Sequence, residues 1–98
     1  MSTTVVVTRN VSDRMRGFLA SSMLELAAGV YIAPRINRAV RERLWSVVLD
    51  WFDAETGASV IMLWPDGSLP GGQSVRILGA PRIQLVEIDG LLLSYRPN

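Results

Sequence analysis

Apolar and polar positions recur along this chain in a way that marks out eight elements. Thr4 to Thr8 is a β-branched run that reads as a buried first strand. Asn10 and Ser12 follow with turn and N-cap chemistry. Met15, Leu19, Met23 and Leu26 then recur at helical spacing, and Phe18 widens the stripe. This spacing predicts a helix from about Asp13 to Ala28, with Gly29 placed to end it as a left-handed C-cap. Val30 to Ala33 is a short second strand closed by Pro34. Asn37 can cap a second helix over Arg38 to Phe52, whose buried face is marked by Val40, Leu44, Val47, Val48 and Trp51.

Ser59 to Trp64 reads as a third strand and Ser74 to Leu78 as a fourth. The Pro65 to Gly72 stretch between them carries Pro-Asp-Gly and Pro-Gly-Gly turn signals. Val86 to Ile88 and Leu91 to Tyr95 flank Asp89-Gly90, a hairpin dipeptide. The order β-α-β-α-β-β-β-β is an α+β pattern. Two helices are expected on one face of a mixed or mostly antiparallel sheet. Neither a repeat nor an interdomain linker interrupts it, so residues 1–98 read as a single domain.

Composition changes the picture in one respect. Hydrophobic residues make up 49% of the chain and mean hydropathy is +0.26, more apolar surface than a 98-residue domain usually hides. A homodimer is the expected way to cover the excess. The longest apolar runs fall far short of a membrane span, and Met1-Ser2-Thr3-Thr4 does not open a signal peptide. A cytoplasmic location is therefore expected.

Absent residue types narrow the chemistry further. With no Cys and no His, thiolate sites, thiol nucleophiles and His-based triads are excluded. Chemistry at this chain would need carboxylates and a hard cation such as Mg²⁺. The acid pairs Asp50/Asp53 and Glu87/Asp89 are surface-type pairs and make no convincing catalytic set. No cofactor is expected.

Every basic residue is Arg, whose planar fork suits phosphate. The charge is uneven: residues 1–43 carry +4 and residues 44–98 carry −3, together the net +1. A polyanion is the natural partner of the basic half.

Arg14 and Arg16 in the first turn of helix one are the informative feature. Cations at a helix N-terminus are disfavoured by about 0.3–1 kcal/mol each, which Asp13 only partly offsets. An anion docking on guanidinium forks and free N–H groups would account for them. Two solvated arginines, one bonded to Asp13, are the plainer alternative. Arg38 and Arg41, preceded by Arg35, repeat the theme on helix two, although Arg38 and Glu42 have the spacing of an ion pair. Arg76 alternates with Val75 and Ile77 and so faces away from the buried side of its strand, and Arg82 lies in a loop. Trp45, Trp51 and Trp64 read as packing residues rather than base-stacking ones.

These residues also carry a resemblance. Val5-Val6-Val7-Thr8-Arg9-Asn10-Val11, followed by Arg14, Arg16 and Gly17, is similar to the opening of the type I-E form of CRISPR-associated protein 2. Leu24-Glu25, Gly29-Val30-Tyr31, Trp45, Met62, Trp64, Gly79 and Ile88-Asp89-Gly90-Leu91 extend the likeness over nearly the whole chain.

The resemblance implies a ferredoxin-like homodimer. Such a fold wants two strands between the helices, where the pattern above shows one. It implies a non-catalytic scaffold of spacer acquisition in antiviral defence, which bridges two dimers of the integrase subunit, CRISPR-associated protein 1, and holds double-stranded prespacer DNA. Arg14, Arg16 and Arg82 match family positions on the DNA backbone, and Asn10, Arg38 and Arg41 complete the candidate nucleic-acid set. The C-terminal strands, about 86–96, are expected to serve dimer and integrase contacts through Ile88, Leu91, Leu93 and Tyr95.

One departure matters. Many relatives end strand one with an acidic residue assigned to a metal-dependent endonuclease. Here Arg9 and Asn10 follow Thr8, so a nuclease that uses Mg²⁺ is the alternative reading. A protein-only interaction module is the third.

Overall fold

The computed structural model describes residues 2–53, 57–79, 84–88 and 91–95. In chain order the elements are β1 (Ser2–Arg9), α1 (Asp13–Ser22), β2 (Leu24–Ala27), β3 (Val30–Ile36), α2 (Arg38–Trp51), β4 (Ser59–Pro65), β5 (Gln73–Gly79), β6 (Gln84–Ile88) and β7 (Leu91–Tyr95). Strands β1 to β5 form one antiparallel sheet in the order β2-β3-β1-β4-β5. The first six elements give the ferredoxin-like β-α-β-β-α-β arrangement, to which β5 adds an outer strand. Strands β6 and β7 pair as a separate hairpin, Ile88 opposite Leu91.

The second strand between the helices was hidden inside the expected first helix. Helix α1 stops at Ser22 instead of Ala28. Ser21 and Ser22 both donate their hydroxyls to the Phe18 carbonyl, at 2.7 and 3.0 Å. Such side-chain bonds offer the last turn an alternative to continued helix. Met23 then adopts extended backbone, and Leu24–Ala27 pairs with β3. Gly29 is accordingly no helix cap. It turns the β2–β3 hairpin at φ 79°, where a Cβ would press on the Thr8 carbonyl oxygen.

Strand alternation divides the sheet into two faces. Thr4 and Val6 on β1, Tyr31 on β3 and Val60 and Met62 on β4 are buried beneath the helices. Met15 and Leu19 of α1 and Leu44 and Val48 of α2 cover them. Truncating one such leucine to Ala costs about 2–5 kcal/mol. The buried stripe of α2 is narrower than the periodicity suggests: Val47 and Trp51 are half-buried and Val40 is exposed. Both helices carry the expected N-caps, Ser12 accepting from the Met15 N–H and Asn37 from the Val40 N–H.

Among the described residues no helix covers the opposite face. Val5 lies between Ile32 and Leu63, and Val7 between Val30 and Ile61, while Val75 and Ile77 of β5 face Leu63 and Ile61. Directly paired residues share a face, so these side chains form one apolar, half-exposed layer. Among the described residues, no helix is long and apolar enough to cross a membrane.

Candidate nucleic-acid interface

Two arginine clusters mark the helix side of the sheet, at opposite ends of α2. Both ends follow from the topology. Strand β1 delivers the chain to the α1 N-terminus at the end where β4 begins, because Arg9 pairs with Ser59. Helix α2 starts at the other end, just after Ile36, which pairs with Ser2. From Arg38 to Trp51 the helix rises about 20 Å.

The first cluster begins at Asn10, whose φ of 54° turns the chain sharply out of β1. Ser12 caps α1, and its carbonyl accepts from the Arg16 N–H at 3.0 Å. Arg14 is exposed, and its guanidinium carbon lies 3.8 Å above the Trp51 ring. Phe18 meets the same indole edge-on, with ring centroids 5.4 Å apart. Arg16 reaches Asp13 only at 3.9 Å, with both side chains exposed. A pair of that length in water contributes little. An open cleft of about 330 Å³ lies between the end of β1 and the β2–β3 turn, lined by Thr8, Asn10, Val11, Arg16, Ala28 and Gly29.

Beneath Arg16 lies Tyr31, fully buried, its hydroxyl without a partner at bonding geometry. Burial pushes its pKa up and the nearby Glu25 carboxylate pushes it further, with Arg16 opposing. Tyr31 therefore stays a neutral, packed residue.

The second cluster gathers Arg38, Arg41, Glu42, Trp64, Asp66 and Arg76 around a cleft of about 320 Å³. The Arg76 Nη2 donates to Glu42 Oε1 at 2.7 Å, and Arg41 Nε stands 3.7 Å from Glu42 Oε2. Both arginines stack on Trp64, at 4.2 Å for Arg41 and 4.8 Å for Arg76, and Arg76 also lies 5.7 Å from Trp45. The Arg76 guanidinium holds the Glu42 carboxyl below its usual range. Asp66 accepts from the Ser68 N–H and hydroxyl, at 3.0 and 2.7 Å, which lowers its pKa. Arg41 Nε and Arg76 Nη1 are buried donors with no hydrogen bond.

The sequence-derived candidates are thus distributed unevenly. Asn10 and Arg16 line one cleft at one end of the helix layer, Arg14 lies on the Trp51 side of α1, and Arg38 and Arg41 meet at the other end. Arg82 lies outside the described residues. Of the expected partner residues, Ile88, Leu91, Leu93 and Tyr95 are on the β6–β7 hairpin, and Leu93 is exposed.

Two expectations need correction. Arg38 does not take Glu42 as its ion partner; Arg76 and Arg41 do. Arg76 points to the helix side, because it pairs with buried Met62, while Val75 and Ile77 belong to the helix-free face. It is a member of the cluster that the sequence reading missed. The three tryptophans do pack against the core, as expected, but each also carries an arginine. The one sequence signal for Arg76 was its place on β5 beside Trp64-bearing β4.

Arg9 is exposed at the end of β1. Among the described residues no three acidic side chains gather within reach of one ion.

A family model described as CRISPR-associated protein (Cas_Cas2CT1978) matches residues 3–93. The match spans both arginine clusters, all five strands of the main sheet and most of the hairpin. The chain therefore belongs to the Cas2-type family of CRISPR-associated proteins.

Proposed function

We propose that this protein is the non-catalytic scaffold of a spacer-acquisition complex, of the type I-E form its sequence resembles. In this reading a homodimer bridges two dimers of the integrase, CRISPR-associated protein 1, and holds prespacer duplex through arginine–phosphate contacts. The observation that carries the reading is the pair of tryptophan-backed arginine clusters on one side of the sheet. About 20 Å of separation corresponds to about six base pairs of B-DNA at 3.4 Å each. Contacts of this kind grip backbone, so little base specificity is expected.

The helix-free apolar face supports a second copy of the chain as its cover. Packed through that face, two protomers would turn their helices and arginines outward. The Leu93-bearing hairpin is then the surface assigned to the integrase. Arg9 in place of an acid removes the carboxylate that the endonuclease alternative would use to hold a divalent cation at the end of β1.

Counting Arg14, Arg16 and Arg82 twice in a dimer gives six phosphate contacts. The logarithm of duplex affinity should then fall against log salt with a slope near −5, from about −0.9 per contact. The test is reconstitution with the cognate integrase and labelled duplex, with wild-type protein and with Arg14→Ala/Arg16→Ala. The double variant should stay folded and dimeric, bind duplex more weakly and flatten the salt slope. Unchanged affinity at moderate salt would overturn the assignment.

A further inference from the structure

Helix α1 places Arg14 and Phe18 four residues apart, hence on one face of the helix. Both reach the same indole, that of Trp51 at the last position of α2. Phe18 meets it edge-on at 5.4 Å, while Arg14 covers it at 3.8 Å. The indole is half-buried and packed against the core, so it is a fixed platform rather than a mobile one. Among the described residues no carboxylate is bonded to Arg14, in contrast to Arg16 and Arg76. Among those residues its charge is therefore not cancelled by an ion pair, and an aromatic face sets its position.

We propose that Trp51 is the positioning residue for the Arg14–phosphate contact. This rests on the nucleic-acid reading above. Stacking holds the planar guanidinium flat and leaves its edge N–H groups for an incoming phosphate. The side-chain ordering that binding would otherwise require is completed on folding. Attraction to the indole face also offsets the penalty for a cation in the first turn of a helix. Trp51 itself needs to touch no DNA.

Duplex affinity measured across a salt series for wild type, Trp51→Leu, Trp51→Phe, Arg14→Ala, Arg14→Lys and Arg14→Ala/Trp51→Leu tests this. Trp51→Leu keeps apolar bulk beside Phe18 but removes the aromatic face. It should weaken binding about two- to fivefold per site. In the Arg14→Ala background the same change should do nothing more, because the group it positions is gone. Trp51→Phe should retain most of the affinity. Arg14→Lys keeps the charge without a planar face and should lose about as much as Trp51→Leu.

Wild-type affinity in Trp51→Leu, or an equal loss with and without Arg14, would overturn the proposal. Should Trp51→Leu fail to fold, Arg14→Lys decides alone: binding equal to wild type would overturn it. If Arg14→Ala itself leaves affinity unchanged, the nucleic-acid reading falls, and that outcome is distinct from the failure of Trp51.

Discussion

Glu42 organises the second arginine cluster, and its chemistry is readable at the level of one carboxylate. It accepts from Arg76 at 2.7 Å and faces Arg41 at 3.7 Å, which together hold its pKa below the ordinary 4.5. A carboxyl lowered on folding stabilises the protein above its unfolded pKa. That contribution disappears as pH falls through the folded value. The side chain is 43% exposed, so solvent screening keeps the gain below about 1 kcal/mol. Thermal melts at neutral and acid pH should show it. Wild type should lose stability on acidification below about pH 4.5 that Glu42→Gln does not lose. Equal acid sensitivity in both proteins would mean that the pair contributes nothing in solution.

At the scale of elements, the ends of strands and helices decide what a sequence pattern can disclose. Strand β5 ends at Gly79, opposite Ser59, with φ at 90°. A Cβ there would collide with the Ala58 carbonyl oxygen, and the backbone conformation itself resists any side chain. Gly79→Ala should destabilise the protein by about 2–4 kcal/mol. In urea unfolding the midpoint should fall with the slope unchanged.

The helix N-caps, the β-branched first strand and the pairing of the last two strands were legible because each is a local signal, while Asp89-Gly90 itself lies outside the described residues. The β2 strand was not. Met23 and Leu26 fit a helical stripe, yet Leu24-Glu25-Leu26 fits a two-residue alternation equally well. What separates the two is a pair of serines that draw on one carbonyl and a neighbouring strand to pair with. The second of these is tertiary. Arg76 was misread for the same reason: with Val75 and Ile77 taken as the core side, its partner Glu42, 34 positions away, was invisible. Arg14 on Trp51 likewise joins the two helices, and no spacing rule connects them.

At the scale of the molecule, the two faces of the sheet carry opposite requirements. One is closed by helices and edged with arginine; the other is a half-buried layer of Val, Ile and Leu that no helix among the described residues covers. The proposed homodimer would satisfy both, hiding the apolar layers against each other and doubling the basic sites around a twofold axis. Leu63 lies near the middle of that layer, between Val5 and Val75, and is only half-buried in the single protomer.

A charge placed at Leu63 should therefore leave the protomer folded while making the paired state costly, since an ion would be buried without a partner. Sedimentation of Leu63→Glu should show a monomer at concentrations where wild type is dimeric, with the circular dichroism spectrum retained. The same variant should bind duplex with a salt slope near −2.7 instead of −5, because only three of six phosphate contacts remain on one particle. A dimer that survives Leu63→Glu would move the seam to another surface. A monomer that keeps the full slope would mean that one protomer alone supplies the contacts, and the arginines would then need no twofold axis to grip DNA.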